Sequence, residues 1–410
     1  MAKSANKNMG IIVAIIVIIL AIVYFTQKQP TTKVGKKQEI KVGIILGFTG
    51  PIESLTPAMA ASAELAFKEA SDSGSLMSGS TITPIRADST CVDSAAAQSA
   101  AEGLISQGIV AIMGADCSGV TGAIATNVAV PNGVVMISPS ATSPGLTDLA
   151  DNGFFFRTAP SDARGGQILA DITKDRGINS VAITYTNNDY GKGLADVYSA
   201  EVKSRGITVT TVESHEDGKA DYSAEVATLA SAGGDAVAVI GYIDQGGKGI
   251  IQASIDSGAF DTFVLSDGMI GDALTDAFGK DLNKSFGSLP GSTGKGADVF
   301  TKVAKAAGID SSGPYTSESY DAGALLVLAM QAGGSADRSS IQKNVMSVAN
   351  APGTKIYPGE LKKALDLLAE GKEVDYEGAS GVNFTDVGEA EGSFLEKEIK
   401  GGKFDTKQQR

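Results

Sequence analysis

Two clusters of small hydroxyl and glycine residues stand where this chain could do chemistry, each reached directly from an apolar run. One is Val110–Thr121, reading Val-Ala-Ile-Met-Gly-Ala-Asp-Cys-Ser-Gly-Val-Thr, and the other is Val134–Pro144, reading Val-Val-Met-Ile-Ser-Pro-Ser-Ala-Thr-Ser-Pro. Short apolar runs of this kind predict parallel strands covered on both faces. Residues that follow such strands lie at their carboxyl ends, where open α/β sheets bind ligands. Hydroxyls and free backbone N–H groups there suit a small anion such as a carboxylate, especially beside a helix N-terminus.

A complementary set occurs later in the chain. Tyr190, in Asn187-Asn-Asp-Tyr-Gly-Lys-Gly193, lies between a strand and a helix, and Gly241-Tyr242 repeats that arrangement. A third strand ends at Leu265-Ser-Asp267-Gly268. An acid there, with no cysteine or histidine nearby, is placed to pair with an amine rather than to hold a metal. Opposite charges met by opposite walls would satisfy a zwitterion, as enclosure requires.

The inventory narrows the alternatives. With one histidine (His215), two cysteines and no tryptophan, the chain lacks the parts for a His-based triad or a His-rich metal site. No histidine or lysine neighbours the hydroxyl clusters to activate them, so an enzyme is not expected, nor is a cofactor or metal. Gly294-Lys295 fails as a phosphate loop because Gly296 follows it and Leu289 occupies the earlier glycine position.

The net charge is −13, but residues 1–37 hold six lysines and no acid, leaving 28 basic against 47 acidic residues beyond them. Such a body repels nucleic acid and anionic membrane surfaces, so no nucleic-acid partner is expected. Residues 10–25 form an unbroken apolar run preceded by Lys3 and Lys7 and followed by a lysine-rich polar stretch, Gln27–Lys37. Without a small-x-small cleavage site after it, the run favours an uncleaved inner-membrane anchor over a removed signal peptide. Cys91 and Cys117 each follow a predicted strand, with a helix between, so a disulfide is expected. It places the large domain outside the cytoplasm.

The elements that must position these residues alternate regularly. Strands are predicted at Ile40–Leu46, Thr81–Asp88, Val110–Gly114 and Val134–Ser138, with helices at Pro57–Ala70, Ser94–Gln107 and Thr121–Val130. Phe154–Thr158 leads into a second series. Its strands are Ser180–Tyr185, Ile207–Glu213, Asp235–Tyr242 and Thr262–Leu265, and its helices Ala163–Arg176, Gly193–Ser204, Ser223–Ala232 and Gly247–Ser257. The pattern predicts an α/β protein of two doubly wound lobes. Ser285–Gly296, rich in Gly, Ser and Pro, reads as a crossing segment. The helices after it (297–307, 319–332, 341–348 and 361–369) lack intervening strands and are expected to pack back on a finished lobe. Val382–Phe384 and Gly392–Ile399 look like a hairpin or return strand.

In order and spacing these residues resemble the substrate-binding proteins of leucine/isoleucine/valine-type ABC transporters, with the type I periplasmic binding fold. The likeness runs from Ile40 to Phe404. It rests on Ile44–Pro51, Asp88–Cys91 with Cys117-Ser118, Ile137–Thr142, Asp189–Leu194, Gly241-Tyr242 and Ser266–Gly268. The resemblance implies that Ser118, Ser140, Ala141 and Thr142 hold the ligand's α-carboxylate and that Asp267 holds its ammonium. It also implies that Tyr190 and Tyr242 close the far wall and that Tyr315 lines the pocket. Leu55 stands where the relatives place a pocket aromatic, and Asp267 where they carry glutamate, so the guest need not be strictly leucine, isoleucine or valine.

Hinge crossings are expected near Thr158–Pro160, Ser288–Pro290 and Ala379–Val382. They divide the chain into an N-terminal segment 1–37, lobe 1 (38–158 with 290–381) and lobe 2 (159–289 with 382–410). The implied function is extracytoplasmic capture of an amino acid by a monomer that delivers it to a permease. A sensor ectodomain acting with a signalling partner, or a receptor for another carboxylate, are the alternatives.

Overall fold

The computed structural model describes residues 37–410. The apolar run 10–25 lies outside them; among the described residues no helix is long and apolar enough to cross a membrane.

The first series builds one parallel sheet. Its strands are β1 (Glu39–Leu46), β2 (Thr81–Asp88), β3 (Ala111–Gly114), β4 (Val135–Ser138) and β5 (Phe155–Arg157), with helices α1 (Thr56–Asp72), α2 (Ser94–Ser106) and α3 (Ser118–Ile124) between them. Every residue of β3 and β4 is buried, as continuous apolar runs require. The strand order β2-β1-β3-β4-β5 puts a switch point between β1 and β3, above which ligands of such sheets sit. In α1, Met59, Ala60, Ala63, Ala66, Phe67 and Ala70 form one buried stripe. Asp93 starts α2 by accepting the N–H groups of Ala95 and Ala96 at 2.9 and 3.0 Å.

The second series adds α4 (Asp162–Asp175), β6 (Ser180–Thr186), α5 (Asp189–Ser204), β7 (Thr208–His215), α6 (Ser223–Ala232), β8 (Ala236–Ile240), α7 (Gly246–Ser257), β9 (Phe263–Leu265), α8 (Asp272–Phe278) and β10 (Phe286–Pro290). The helices that follow return to the first sheet: α9 (Lys295–Ala306), α10 (Thr316–Gly333), α11 (Arg338–Ala349) and α12 (Leu361–Ala369). Two short strands, β11 (Thr354–Ile356) and β12 (Val374–Tyr376), pair among them. Buried almost all round, α10 packs Leu325, Val327 and Leu328 in one core with Ile44, Met113 and Ile137. The chain ends in a hairpin, β13 (Phe394–Lys400) and β14 (Lys403–Gln409), turning at Gly401-Gly402 with φ of 61° and 80°. The second sheet runs β14-β13-β10-β9-β8-β6-β7. Its switch point, between β6 and β8, parallels that of the first.

Two expectations change. Ser285–Gly296 is not wholly a crossing, since Phe286–Pro290 joins the second sheet beside β9. Gly287 serves that pairing: a Cβ there would lie 2.2 Å from the Leu265 carbonyl oxygen. Pro290 ends the strand, where it withholds no central ladder bond. The last crossing is not at Ala379–Val382, because Phe384 and Ala390 are buried in the first sheet's core and Phe384 stacks on Phe156 with ring centroids 5.9 Å apart. Just beyond, Gly291 N–H donates to the Ser393 carbonyl at 3.0 Å.

The disulfide Cys91–Cys117 forms, with its Cα atoms 5.2 Å apart, although β2 and β3 are not neighbours. β1 lies between them. Thr90 and Cys91, with φ of 58° and 68°, fold the chain back over the end of β1. Gly47 lies beneath the bridge, its added Cβ reaching Cys91 Cβ at 3.2 Å. For a sequence separation of 26, replacing both cysteines by serine should lower unfolding stability by roughly 3 kcal/mol in the chain-entropy model. Guanidinium titration measures this; unchanged stability would refute a structural role for the bridge.

Candidate functional site

Loops at the carboxyl ends of both sheets converge on one crevice. On the second sheet's side, Asp267 follows β9 in a short turn and is 7% exposed. Its Oδ1 accepts the Tyr190 hydroxyl at 2.7 Å, and its Oδ2 accepts the hydroxyl of Tyr315, which comes from the loop before α10 on the first sheet. The Tyr190 hydroxyl in turn accepts Gly268 N–H at 3.2 Å. Gly268 has no alternative: a Cβ would lie 2.6 Å from the Gly241 carbonyl oxygen. Tyr242 stacks on Tyr190, with centroids 5.3 Å apart, and its hydroxyl receives Asn188 Nδ2 at 3.4 Å. Tyr190 belongs to the first turn of α5, which starts at Asp189 rather than at Gly193. Asn188 causes the earlier start by capping Gly191 N–H at 3.0 Å. Tyr315 adopts φ 59°, uncommon for an aromatic residue, while buried and hydrogen-bonded to Asp267.

On the first sheet's side, Ser118 Oγ accepts Ser143 N–H at 3.0 Å, which leaves its own proton to donate. Ser140 Oγ donates to the Asp116 carbonyl at 3.1 Å. The turn that carries Ser140 is fixed from behind by Arg157, 1% exposed. Its Nη1 donates to the carbonyls of Ala141 and Ser143 at 3.0 and 2.9 Å, while Nη2 reaches Glu389 at 2.5 Å and Thr147 at 2.9 Å. A fixed guanidinium fork of this kind turns the loop's carbonyls away from the crevice.

The loop after β1 supplies Ile52 and Leu55, and α1 supplies Met59. It is tied to the loop after β8: Ser54 N–H donates to Asp244 Oδ2 at 2.8 Å, and Asp244 N–H to the Pro51 carbonyl at 3.0 Å. With the walls in this position the cavity between them is small, about 30 Å³.

The structure brings seven of the nine expected ligand residues to this crevice: Leu55, Ser118, Ser140, Tyr190, Tyr242, Asp267 and Tyr315. Ala141 and Thr142 are not among its lining. Ala141 N–H is spent on Ser138 Oγ at 3.0 Å, and the Thr142 carbonyl receives Asp162 N–H at 2.8 Å. Sequence reasoning missed Ile52, Met59 and Asp116, and also Arg157 and Asp162 behind the walls. An arginine inside an apolar strand, Phe154-Phe-Phe-Arg157, was a legible signal that a buried counter-charge was needed.

Burial pushes the Asp267 carboxyl upward, opposed by the hydroxyls of Tyr315 and Tyr190. Asp162 is pushed well up, by burial first and then by the Asp267 charge, against Thr142 and Arg157. Burial also raises Tyr190, Tyr242 and Tyr315 well above the usual phenol range, so all three keep their protons. Glu318, one turn into α10 from Tyr315, is pushed up to about 8 by burial. The fold therefore favours its protonated form. Its contribution is complete below the unfolded carboxyl value, declines above it, and is lost once pH has passed about 8. Thermal melts between pH 5 and 8.5 should show the native chain losing more stability with rising pH than Glu318→Gln; parallel curves would contradict this.

Residues 39–364 match the family model described as periplasmic binding protein. The chain belongs to that family. It is 31% identical over 210 residues to Leu/Ile/Val-binding protein homolog 3 of Brucella melitensis, covering 51% of this chain and 56% of that one, so it spans about half the length of that relative. It is 26% identical over 355 residues to the chemotactic signal transduction system substrate-binding protein BasB of Halobacterium salinarum, covering 84% of this chain and 83% of that protein. Its fold is that of the branched-chain amino acid transporter substrate binding protein LivJ of Streptococcus pneumoniae, solved with isoleucine. The TM-score is 0.74 at 22% identity, over 91% of this chain and 99% of that one.

Proposed function

We propose that this chain is an extracytoplasmic receptor that captures an amino acid between two lobes and delivers it to an ABC transporter permease. The observation that carries the reading is the single crevice with a buried acid on one wall and serine hydroxyls on the other. The guest's ammonium binds Asp267, and its carboxylate takes the Ser118 proton, with Ser140 beside it. Tyr190, Tyr242 and Tyr315 exclude water, which strengthens both ionic contacts. The B. melitensis relative and the isoleucine-bound neighbour support an amino acid guest.

Lobe 1 comprises the first sheet with α9–α12, and lobe 2 the second sheet with β13 and β14. The crossings lie near Thr158–Asp162, Pro290–Ser292 and Glu391–Ser393. Closure about them brings Tyr315 onto Asp267 and Ser54 onto Asp244. The cost of ordering the lobes is offset only when the guest contacts both, so guest and closure select each other. Residues 10–25 tether the receptor to the membrane; recovery of the full chain from the soluble fraction would remove that part.

The BasB relative favours a second reading, in which the closed form engages a signalling partner instead of a permease. Affinity capture of the ligand-saturated full chain separates the two: a permease partner supports transport and a signal transducer supports sensing.

Calorimetric titration with the common amino acids tests the central reading, and heat from none would refute it. Asp267→Asn should weaken binding more than tenfold, about 1.4 kcal/mol or more. Unchanged affinity would place the ammonium elsewhere.

A further inference from the structure

Asp116 follows β3 and lines the crevice between the serines and the apolar loop of Ile52 and Leu55. It is 2% exposed. Its Oδ2 accepts Gly47 N–H at 2.5 Å; its Oδ1 accepts the Ser89 hydroxyl at 3.0 Å and Cys117 N–H at 2.9 Å. An ionised carboxylate offers about four acceptor positions, so these three donors leave Oδ2 with capacity for one more.

The residues around the crevice include a second carboxylate, Asp267, and no lysine, arginine or histidine. A guest whose ammonium meets Asp267 and whose carboxylate meets Ser118 leaves the Asp116 charge without a partner of opposite sign. Buried charge in that condition is costly, and a donor from the guest relieves it.

The direction of the guest's side chain brings it there. Ser118 and Ser140 stand at the ends of β3 and β4, so they anchor the backbone of the guest. Gly47 and Ser89, which hold the Asp116 carboxylate, stand at the ends of β1 and β2. A side chain running from the serines toward Ile52 and Leu55 therefore passes Asp116.

We propose that Asp116 sets the side-chain specificity of the site, selecting an amino acid whose side chain carries a hydrogen-bond donor, hydroxyl or ammonium, over its hydrocarbon counterpart. This inference rests on the amino acid reading given above.

Matched pairs test it by calorimetry on the full chain: L-threonine against L-valine, and L-ornithine against L-norleucine. The donor-bearing member of at least one pair should bind at least tenfold tighter; threonine's advantage would assign a hydroxyl, ornithine's an ammonium. Equal or tighter binding of both hydrocarbon members would overturn the inference and leave the receptor reading intact. So would silence from all four with heat from another common amino acid, whereas silence from every amino acid would overturn both. Asp116→Asn should shrink the preference to threefold or less, and an undiminished preference in the folded variant would overturn the assignment to Asp116. Should that variant fail to fold, the pairs measured on the native chain still decide.

Discussion

A carboxylate removed from water must be met by donors, and at Asp267 those donors come from both sides of the crevice. Tyr190 reaches it from the second sheet and Tyr315 from the first. The second sheet therefore supplies the charge, and the first supplies part of what makes its burial tolerable. Two hydroxyls are weak compensation for a buried anion; an ammonium is strong compensation. In the proposed function, this inequality makes the crevice a trap for an amine and couples capture to the approach of the two walls.

The rest of the fold serves that geometry. Parallel strands deliver the loops carrying Ser118, Ser140, Tyr242 and Asp267 to one edge, a loop between α9 and α10 adds Tyr315, and switch points in both sheets open space between loops that diverge. The serine wall depends on Arg157, whose guanidinium gathers carbonyls from the 140s turn and is balanced by Glu389 from the stretch before β13. The disulfide folds the end of β2 over Gly47, and Gly47 N–H is in turn the partner of Asp116. The bridge thereby reaches the crevice through one hydrogen bond, and Cys117 itself lines it.

Much of this was legible in the residues. Apolar runs bounded by glycine or polar turn residues located eight strands, because burial on both faces leaves little freedom of composition. Strand ends carrying Tyr190, Tyr242 and Asp267 pointed to the second wall for the same reason. Tyr315 and Leu55 came only from the family likeness, since nothing local in Ser312-Gly-Pro-Tyr315 signals a pocket. β10 was hidden because Phe286-Gly-Ser-Leu-Pro290 reads as a turn; its strand state comes from neighbours on both sides, which override local preference. Ala141 and Thr142 lie in the same turn as Ser140 but not in the crevice lining, a difference of one residue that the sequence does not carry. Asp116 sat within a motif already singled out, masked by its neighbours Cys117 and Ser118.

The central claim is that one guest bridges Asp267 and the serine wall. A crystal structure of the full chain with the tightest-binding amino acid measures it directly. The account predicts the guest's nitrogen within hydrogen-bonding distance of Asp267 and its carboxylate on Ser118. A guest bound outside the crevice, or reversed so that its carboxylate faces Asp267, would contradict it.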